Sequence, residues 1–397
     1  MDFLPTIHNV MEWNNLYKKR VDELPHWEVD GEIYYNKLQA LALKNNNIKF
    51  RFAESQFTSF DNTSTIDDRV YLSRLMQLKN KYDYLRLFYS GGADSKLILD
   101  TAYANKILIH EIVLLKTWSG KNADEDEIQR AQLHIKRYSE LFPESKISIL
   151  ELNLEDWKTY HKNFMTHHGG ERRYNDRPKC HSFLYLHSSV SELLWKPYKA
   201  GLKHCDIVGC LTTKVIIYKD KPYWYILDND IEHHLSPFIE YFYTSPNMPQ
   251  VQLFQARCYY QEMLKYGITN TDMLDPDLLL QLKKSTGRLI DDGFKKDFST
   301  KGMHKNIVDG LAIDDPELWT LFRNNIDILK KSINDNWLQI DLPYLGTVGI
   351  FSKLISLYDN VHLNINDDIF AEVFIKGRSK KNEHQETYER YLKKITS

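Results

Sequence analysis

The sequence predicts an α/β protein in which helices sandwich a parallel sheet, with a small N-terminal unit and a mostly helical C-terminal region. Three observations carry that prediction. Between residues 70 and 245, short apolar runs of strand length alternate with stretches of helical period. The strands are separated by helices of about ten to twenty residues, a spacing that implies right-handed crossovers and a sheet covered on both faces. Outside this stretch the texture changes, to a turn-rich segment before it and to helical periodicity after Pro249. A chain of 397 residues has room for two or three compact units, and the expected boundaries are 1–69, 70–245 and 246–397.

The elements follow in order. Val10, Trp13, Leu16 and Tyr17 give an amphipathic start, and the N-terminal unit ends in SQFTSFDNTSTIDD, rich in turn and cap formers. Val70, Tyr71, Leu75 and Leu78 repeat at helical spacing and lead into the apolar strand Tyr82 to Tyr89. Ser95 to Ala104 reads as a helix with Leu97, Ile98 and Ala102 inward, and Glu111 to Lys116 as a buried strand. Ala123 to Phe142 places Ile128, Ala131, Ile135 and Tyr138 on one helical face, and Lys146 to Asn153 is a third strand. Pro178 suits the first turn of a helix running through Val190 to Trp195. Cys205 to Cys210 is a fourth strand, and VIIYKDKPYWYIL a hairpin about Lys219 to Pro222. Further on, Val251, Phe254, Cys258 and Tyr259 share a helical face with Gly267 as the stop. Leu278 to Leu282, Leu318 to Leu329 and a final solvated helix follow.

Composition excludes several classes. With 42% hydrophobic and 27% charged residues, Gly 16 and Pro 12, the chain is globular rather than collagen-like, disordered or of low complexity. A formal net charge of -2 provides no global attraction to nucleic acid or an anionic membrane. Cys180, Cys205, Cys210 and Cys258 form no C-x-x-C pair, so reduced, cytosolic thiols are expected. No run of about 18 apolar residues and no export signal is apparent, so the expectation is a cytoplasmic protein without a membrane partner.

The chemistry is concentrated in SGGADS, Ser90 to Ser95, between the first strand and its helix. Two consecutive glycines permit backbone torsions closed to other residues, so that several N–H groups converge on one anion. The following helix directs its positive end at the same point. Ser90 and Ser95 offer hydroxyl donors to a phosphate. A charge-assisted hydrogen bond is worth about 1.5 to 3 kcal/mol, so a handful of them suffices for micromolar nucleotide binding. Asp94 would repel a polyphosphate unless a cation intervenes, which points to Mg²⁺ bridging the phosphates. A glycine pair also occurs at strand-to-helix turns for steric reasons alone. The loop is neither the Walker A pattern nor the dinucleotide fingerprint.

Ser90-Gly91-Gly92-Ala93-Asp94-Ser95 resembles the SGGxDS pyrophosphate loop of the PP-loop ATP pyrophosphatases, which include asparagine synthetase, GMP synthetase, NAD synthetase, tRNA lysidine synthetase, tRNA thiolases and sulfonucleotide reductases. The resemblance spans residues 70 to 245. It implies an adenine nucleotide α-hydrolase-like fold that takes ATP and Mg²⁺ and cleaves between the α and β phosphates. It further implies that Ser90, Gly91, Gly92, Ala93, Asp94 and Ser95 hold the β,γ-phosphates, with Asp94 near the metal. By the same resemblance Leu114 and Leu115 border adenine through backbone groups, although burial explains these two leucines equally well. The asparagine synthetase-like members carry a nucleophilic cysteine after the initiator Met; here that position is Asp2, so a glutaminase is not expected.

Other candidates come from position along the sheet. Ligands of open parallel sheets sit outside the carboxyl ends of the strands, which places the loop after the fourth strand, Gly209 to Lys214, beside SGGADS. Gly209 is a cofactor-binding candidate, and Lys214 either neutralises the α-phosphate during attack or is a surface lysine opening the hairpin. Lys96 follows the loop and either reaches the phosphates or points along the outer face of its helix. His167 to His181 combines Arg172, Arg173, Arg177, Lys179 and three histidines in a loop expected to close over anions, with Arg177 a catalytic candidate. Metal binding by His167, His168 and His181 is disfavoured by the lack of a matching carboxylate. The stretch Lys283 to Lys305 is basic but interleaved with acids, which reads as solvated surface.

The leading expectation is an AMP-forming adenylating enzyme that activates an oxygen of a small-molecule acceptor for amidation or ligation. Alternatives are a tRNA or DNA base-modifying enzyme and a non-catalytic nucleotide sensor.

Overall fold

The computed structural model describes residues 7–34, 48–117, 125–152, 192–209, 214–225, 236–265, 267–269 and 353–364. In chain order the described elements begin with α1 (Ile7–Lys18), β1 (His26–Val29), β2 (Glu32–Tyr34), β3 (Ile48–Arg51) and α2 (Glu54–Ser59). The central part comprises α3 (Arg69–Lys81), β4 (Tyr84–Phe88), α4 (Ala93–Ala104), β5 (Glu111–Thr117), α5 (Glu125–Leu141), β6 (Lys146–Leu152), α6 (Glu192–Lys199) and β7 (His204–Val208). Then come β8 (Lys214–Tyr218), β9 (Lys221–Tyr225), β10 (Ile239–Tyr241), α7 (Gln250–Lys265), β11 (Lys353–Ser356) and β12 (His362–Asn364).

Five strands form one parallel sheet in the order β10-β7-β4-β5-β6. The strand that precedes SGGADS lies in the middle. The chain lays β5 and β6 on one side of it and then returns to place β7 and β10 on the other. The direction of strand addition reverses between β4 and β7, which is where open α/β sheets form a crevice at their carboxyl ends. The α/β architecture expected from the alternating periods is therefore present. Periodicity does not reveal β10, whose three residues are too few to show an alternation.

Alternation along β4 decides which face each residue serves. Leu85, Leu87 and Tyr89 join Leu75 and Leu78 of α3, Ile98 and Ala102 of α4, Ile135 and Tyr138 of α5 and Val251 of α7 in one buried cluster. Phe88 and Val113 face the other way and pack with Trp13 of α1, Leu194 and Trp195 of α6, and Phe238. Trp13 and Trp195 lie 5.8 Å apart between ring centroids. Each large apolar side chain buried here contributes about 1.5 to 3 kcal/mol. Trp13 and Leu16 of the amphipathic stripe read in the first helix are thus spent on covering the parallel sheet, so this helix and the α/β layer share a core.

The predicted hairpin is present, with its turn two residues earlier than its proline suggests. Lys219 and Asp220 both take left-handed torsions (φ 47° and 61°), the signature of a two-residue type I′ turn, and Lys221 and Pro222 begin β9. From residue 246 onward, where mostly helical structure is expected, the described residues comprise α7 and the strands β11 and β12. β11 pairs antiparallel with β9, extending the hairpin to the order β12-β11-β9-β8. The helix stops as expected: Gly267 has φ 69°, and the Gly267 and Ile268 N–H groups bond to Leu264 and Met263 carbonyls.

Two buried charge clusters cross the sheet. Glu240 of β10 accepts from Arg74 (2.7 Å), Arg20 (3.0 Å) and Lys81 (3.2 Å) and from the Tyr82 hydroxyl. On the opposite face Arg86 donates to Glu111 at 2.9 Å and lies 3.2 Å from Asp206.

Candidate functional site at the sheet switch point

The SGGADS segment occupies the turn from β4 to α4, at the switch point. Gly91 adopts φ 79°, a left-handed conformation that costs a residue with a β-carbon about 1 to 2 kcal/mol. Gly92 is the extended N-cap (φ -73°, ψ 165°). The helix begins at Ala93, two residues earlier than the periodicity predicts, so Asp94 and Ser95 lie in its first turn. The Lys96 N–H bonds to the Gly92 carbonyl at 3.0 Å. The N–H groups of Ala93, Asp94 and Ser95 precede that first helical bond, at the end of the helix where the backbone donors point toward the turn.

The two serines hold the loop to itself. Ser95 Oγ donates to the Gly92 carbonyl and accepts from the Ser90 N–H, each at 3.2 Å. Ser90 Oγ accepts from the Gly92 N–H and hydrogen-bonds Ser95 Oγ, also at 3.2 Å. Ser95 is buried and Ser90 exposed. The expected pair of outward hydroxyl donors is therefore divided: Ser95 staples the turn from inside, and Ser90 is the hydroxyl at the surface. The Lys96 ammonium pairs with Asp100 one turn along the helix, its side chain largely covered.

Gly209, just past β7, abuts this turn. A β-carbon there would stand 3.1 Å from the Ser95 nitrogen, 3.2 Å from the Asp94 carbonyl carbon and 3.0 Å from Ile98 Cδ1. From the same side, the Tyr243 hydroxyl, two residues beyond β10, donates to the Asp94 carbonyl oxygen at 2.6 Å. The Asp94 carboxylate, on a partly exposed residue, lies close enough to Tyr243 and Tyr71 to help raise both phenols, burial being the larger cause. Nothing in the sequence marks Tyr243, which stands 149 residues from its acceptor.

On the other side of the crevice β5 outruns β4. Phe88 is the last β4 residue in register, opposite Val113, and the Tyr89 N–H closes the ladder on the Val113 carbonyl at 2.8 Å. Alternation then turns the peptide groups of Leu115 toward the side where β4 has ended, and those of Leu114 toward β6. The Leu114 side chain is buried in the core, and of the two leucines expected to border a base, Leu115 has its peptide groups on the β4 side.

Lys214 opens β8, its backbone paired with Tyr225. Arg177 lies outside the described residues, as do Arg172, Arg173, Lys179, His167, His168, His181, Cys210 and the helix at Pro178. The helices expected at 278–282 and 318–329, the basic stretch 283–305 and the C-terminal tail also lie outside them. Cys205 is a buried thiol whose pKa burial raises well above the usual range, as a small apolar residue in the core would behave. Among the described residues no three His, Cys, Asp or Glu side chains cluster as a metal site, and no helix is long and apolar enough to cross a membrane.

No family model matches the chain, and no curated protein matches it.

Proposed function

We propose that the chain is a PP-loop ATP pyrophosphatase that adenylates an acceptor oxygen and releases AMP and pyrophosphate, similar to the synthetase half of asparagine synthetase. One observation carries the reading: SGGADS forms the turn from the central strand into a helix at the switch point of a five-stranded parallel sheet. That position combines the N-terminal end of a helix, with its dipole, and the carboxyl end of the sheet where the strand order reverses, which is the chemistry of polyphosphate binding.

In this reading the N–H groups of Ala93, Asp94 and Ser95 hold the leaving pyrophosphate, and the Leu115 peptide groups border the base. An acceptor oxygen attacks the α-phosphorus, the bond from that phosphorus to the α,β-bridging oxygen breaks, and pyrophosphate departs into the loop. AMP is then displaced from the acceptor by a nitrogen or other nucleophile. Asp94 is the carboxylate that would hold Mg²⁺, since this ion commonly takes one or two carboxylates together with phosphate oxygens. When bound, the ion neutralises phosphate charge. Lys214 and Arg177 are proposed to stabilise charge at the α-phosphate, and cytoplasmic ATP is the proposed source of the nucleotide.

The test is product identity. Purified protein with Mg²⁺, ATP and a panel of carboxylate and amide acceptors is expected to form AMP and pyrophosphate; ADP and phosphate would overturn cleavage between the α and β phosphates. Nucleotide binding with no turnover across the panel would favour a sensor.

A further inference from the structure

The Asp94–Ser95 peptide group is gripped from two directions by residues far away in sequence. The Tyr243 hydroxyl donates to its carbonyl oxygen at 2.6 Å. Gly209 packs on the same peptide, its missing β-carbon falling 3.2 Å from the Asp94 carbonyl carbon and 3.1 Å from the Ser95 nitrogen. The nitrogen end of that peptide is the Ser95 N–H, the last donor before the helical hydrogen bonds begin. Drawing on the carbonyl at one end of a peptide polarises the N–H at the other and fixes the plane in which it points.

Tyr243 is well held for such a task. It is fully buried, its ring meeting Phe242 edge-on at 5.1 Å and Tyr71 at 6.1 Å. The neighbouring Phe242 N–H is tied to the Val208 carbonyl at 3.0 Å. Burial and the nearby Asp94 charge keep the phenol protonated and able to donate.

We propose that Tyr243 is a positioning residue for the phosphate loop: through the Asp94 carbonyl it orients and strengthens the Ser95 N–H as a donor to the pyrophosphate group. The inference rests on the proposed phosphate-binding role of SGGADS and adds to it the residue that tunes it. Tyr243 acts through the peptide and not by touching the anion.

The experiment measures inorganic pyrophosphate binding by calorimetry for the wild-type protein, Tyr243→Phe and Tyr138→Phe, with selective ¹⁵N-serine labelling to follow the Ser95 amide. Tyr138 is an equally buried tyrosine whose hydroxyl bonds to Ile107 and Ile109 instead, so it controls for the loss of any core hydroxyl. Expected is about two- to fourfold weaker binding in Tyr243→Phe, since the Tyr243 bond is lost from free and bound protein alike and only the weaker Ser95 donor is read, with an upfield move of the Ser95 amide proton in the unliganded variant. Tyr138→Phe is expected to change neither. Equal affinity of wild type and Tyr243→Phe overturns the positioning role and leaves the phosphate loop standing. Weakening without a change at the Ser95 amide, or equal weakening in Tyr138→Phe, overturns it as general loosening. A wild type that does not bind pyrophosphate overturns the loop assignment and this inference with it.

Discussion

Gly209 lies against the backbone of Ser95, so that a β-carbon at 209 would stand 3.1 Å from the Ser95 nitrogen. This approach joins the end of β7 to the first turn of α4 and brings the two sides of the switch point together. A methyl group here would be tight against two backbone atoms and the end of the Ile98 side chain, and these neighbours would have to give by a few tenths of an ångström.

Gly209→Ala is accordingly expected to lower stability by about 1 to 3 kcal/mol, the usual cost of an inserted methyl group in a packed site. It should also weaken pyrophosphate binding, because the Asp94–Ser95 peptide must shift. Urea unfolding and calorimetry report the two effects separately.

Gly91→Ala tests a different property, the left-handed torsion of 79°. The expected loss is about 1 to 2 kcal/mol of stability, with pyrophosphate binding reduced further than in Gly209→Ala, because relaxing the torsion reshapes the turn itself. Binding unchanged from wild type would remove the turn from the proposed site.

Asp94→Asn separates catalysis from binding. Replacing the carboxylate with an amide keeps the shape of the first turn and removes the charge proposed to hold Mg²⁺. Turnover is expected to fall by at least about a hundredfold, the size of a lost electrostatic contribution of a few kcal/mol, while nucleotide affinity without Mg²⁺ is retained or increased, because the carboxylate that would repel the polyphosphate is gone. Steady-state pyrophosphate release and equilibrium binding of ATP measure the two.

Asp206 and His204 make opposite contributions to stability against pH. Burial pushes Asp206 up to about 7, and burial together with Arg86 brings His204 down to about 4. Between pH 4.5 and 6.5 the folded chain holds a proton on Asp206 that the unfolded chain has released, so this contribution falls as pH rises. Over the same window the unfolded chain holds a proton on His204 that the folded chain lacks, so that contribution rises. The two nearly cancel. Asp206→Asn removes the falling part, and its stability relative to wild type is expected to rise by about 1.4 kcal/mol per pH unit across the window. Urea unfolding at several pH values checks the slope; a flat difference would exclude the assignment.

Glu240 draws together Arg20, Arg74, Lys81 and Tyr82, and the two arginines and Lys81 depress its carboxyl pKa against the opposing effect of burial. Glu240→Gln leaves Arg74, which is almost wholly buried, without its counter-charge. Loss of one partner from a buried pair costs about 3 to 5 kcal/mol, measurable as a fall in the urea midpoint. Because β10 carries Glu240 and leads into Tyr243, a weakened grip on the phosphate loop should accompany the loss.

Much of the fold was legible because the physics that makes it is local. Apolar runs at Leu85 to Phe88 and Ile112 to Leu114, and helical stripes at Val70 to Leu78, report their own periods. The SGGADS turn was readable too, since Gly91 states its torsion requirement in one residue. The strand Ile239–Tyr241 was not, because three residues contain no period. The inward role of Ser95 was also hidden, because a hydroxyl's direction depends on which neighbours reach it first.

The sequence by itself determined a helix-covered parallel sheet and the place along the chain where phosphate chemistry is proposed, because both follow from residue order within a few turns of backbone. Only the tertiary structure decided that β4 is the central strand and that its turn lies where the sheet order reverses. It also brought Gly209 and Tyr243 onto one peptide group from elements more than a hundred residues away. Contacts of that range arise from strand order and side-chain packing, and no local pattern in the chain encodes either.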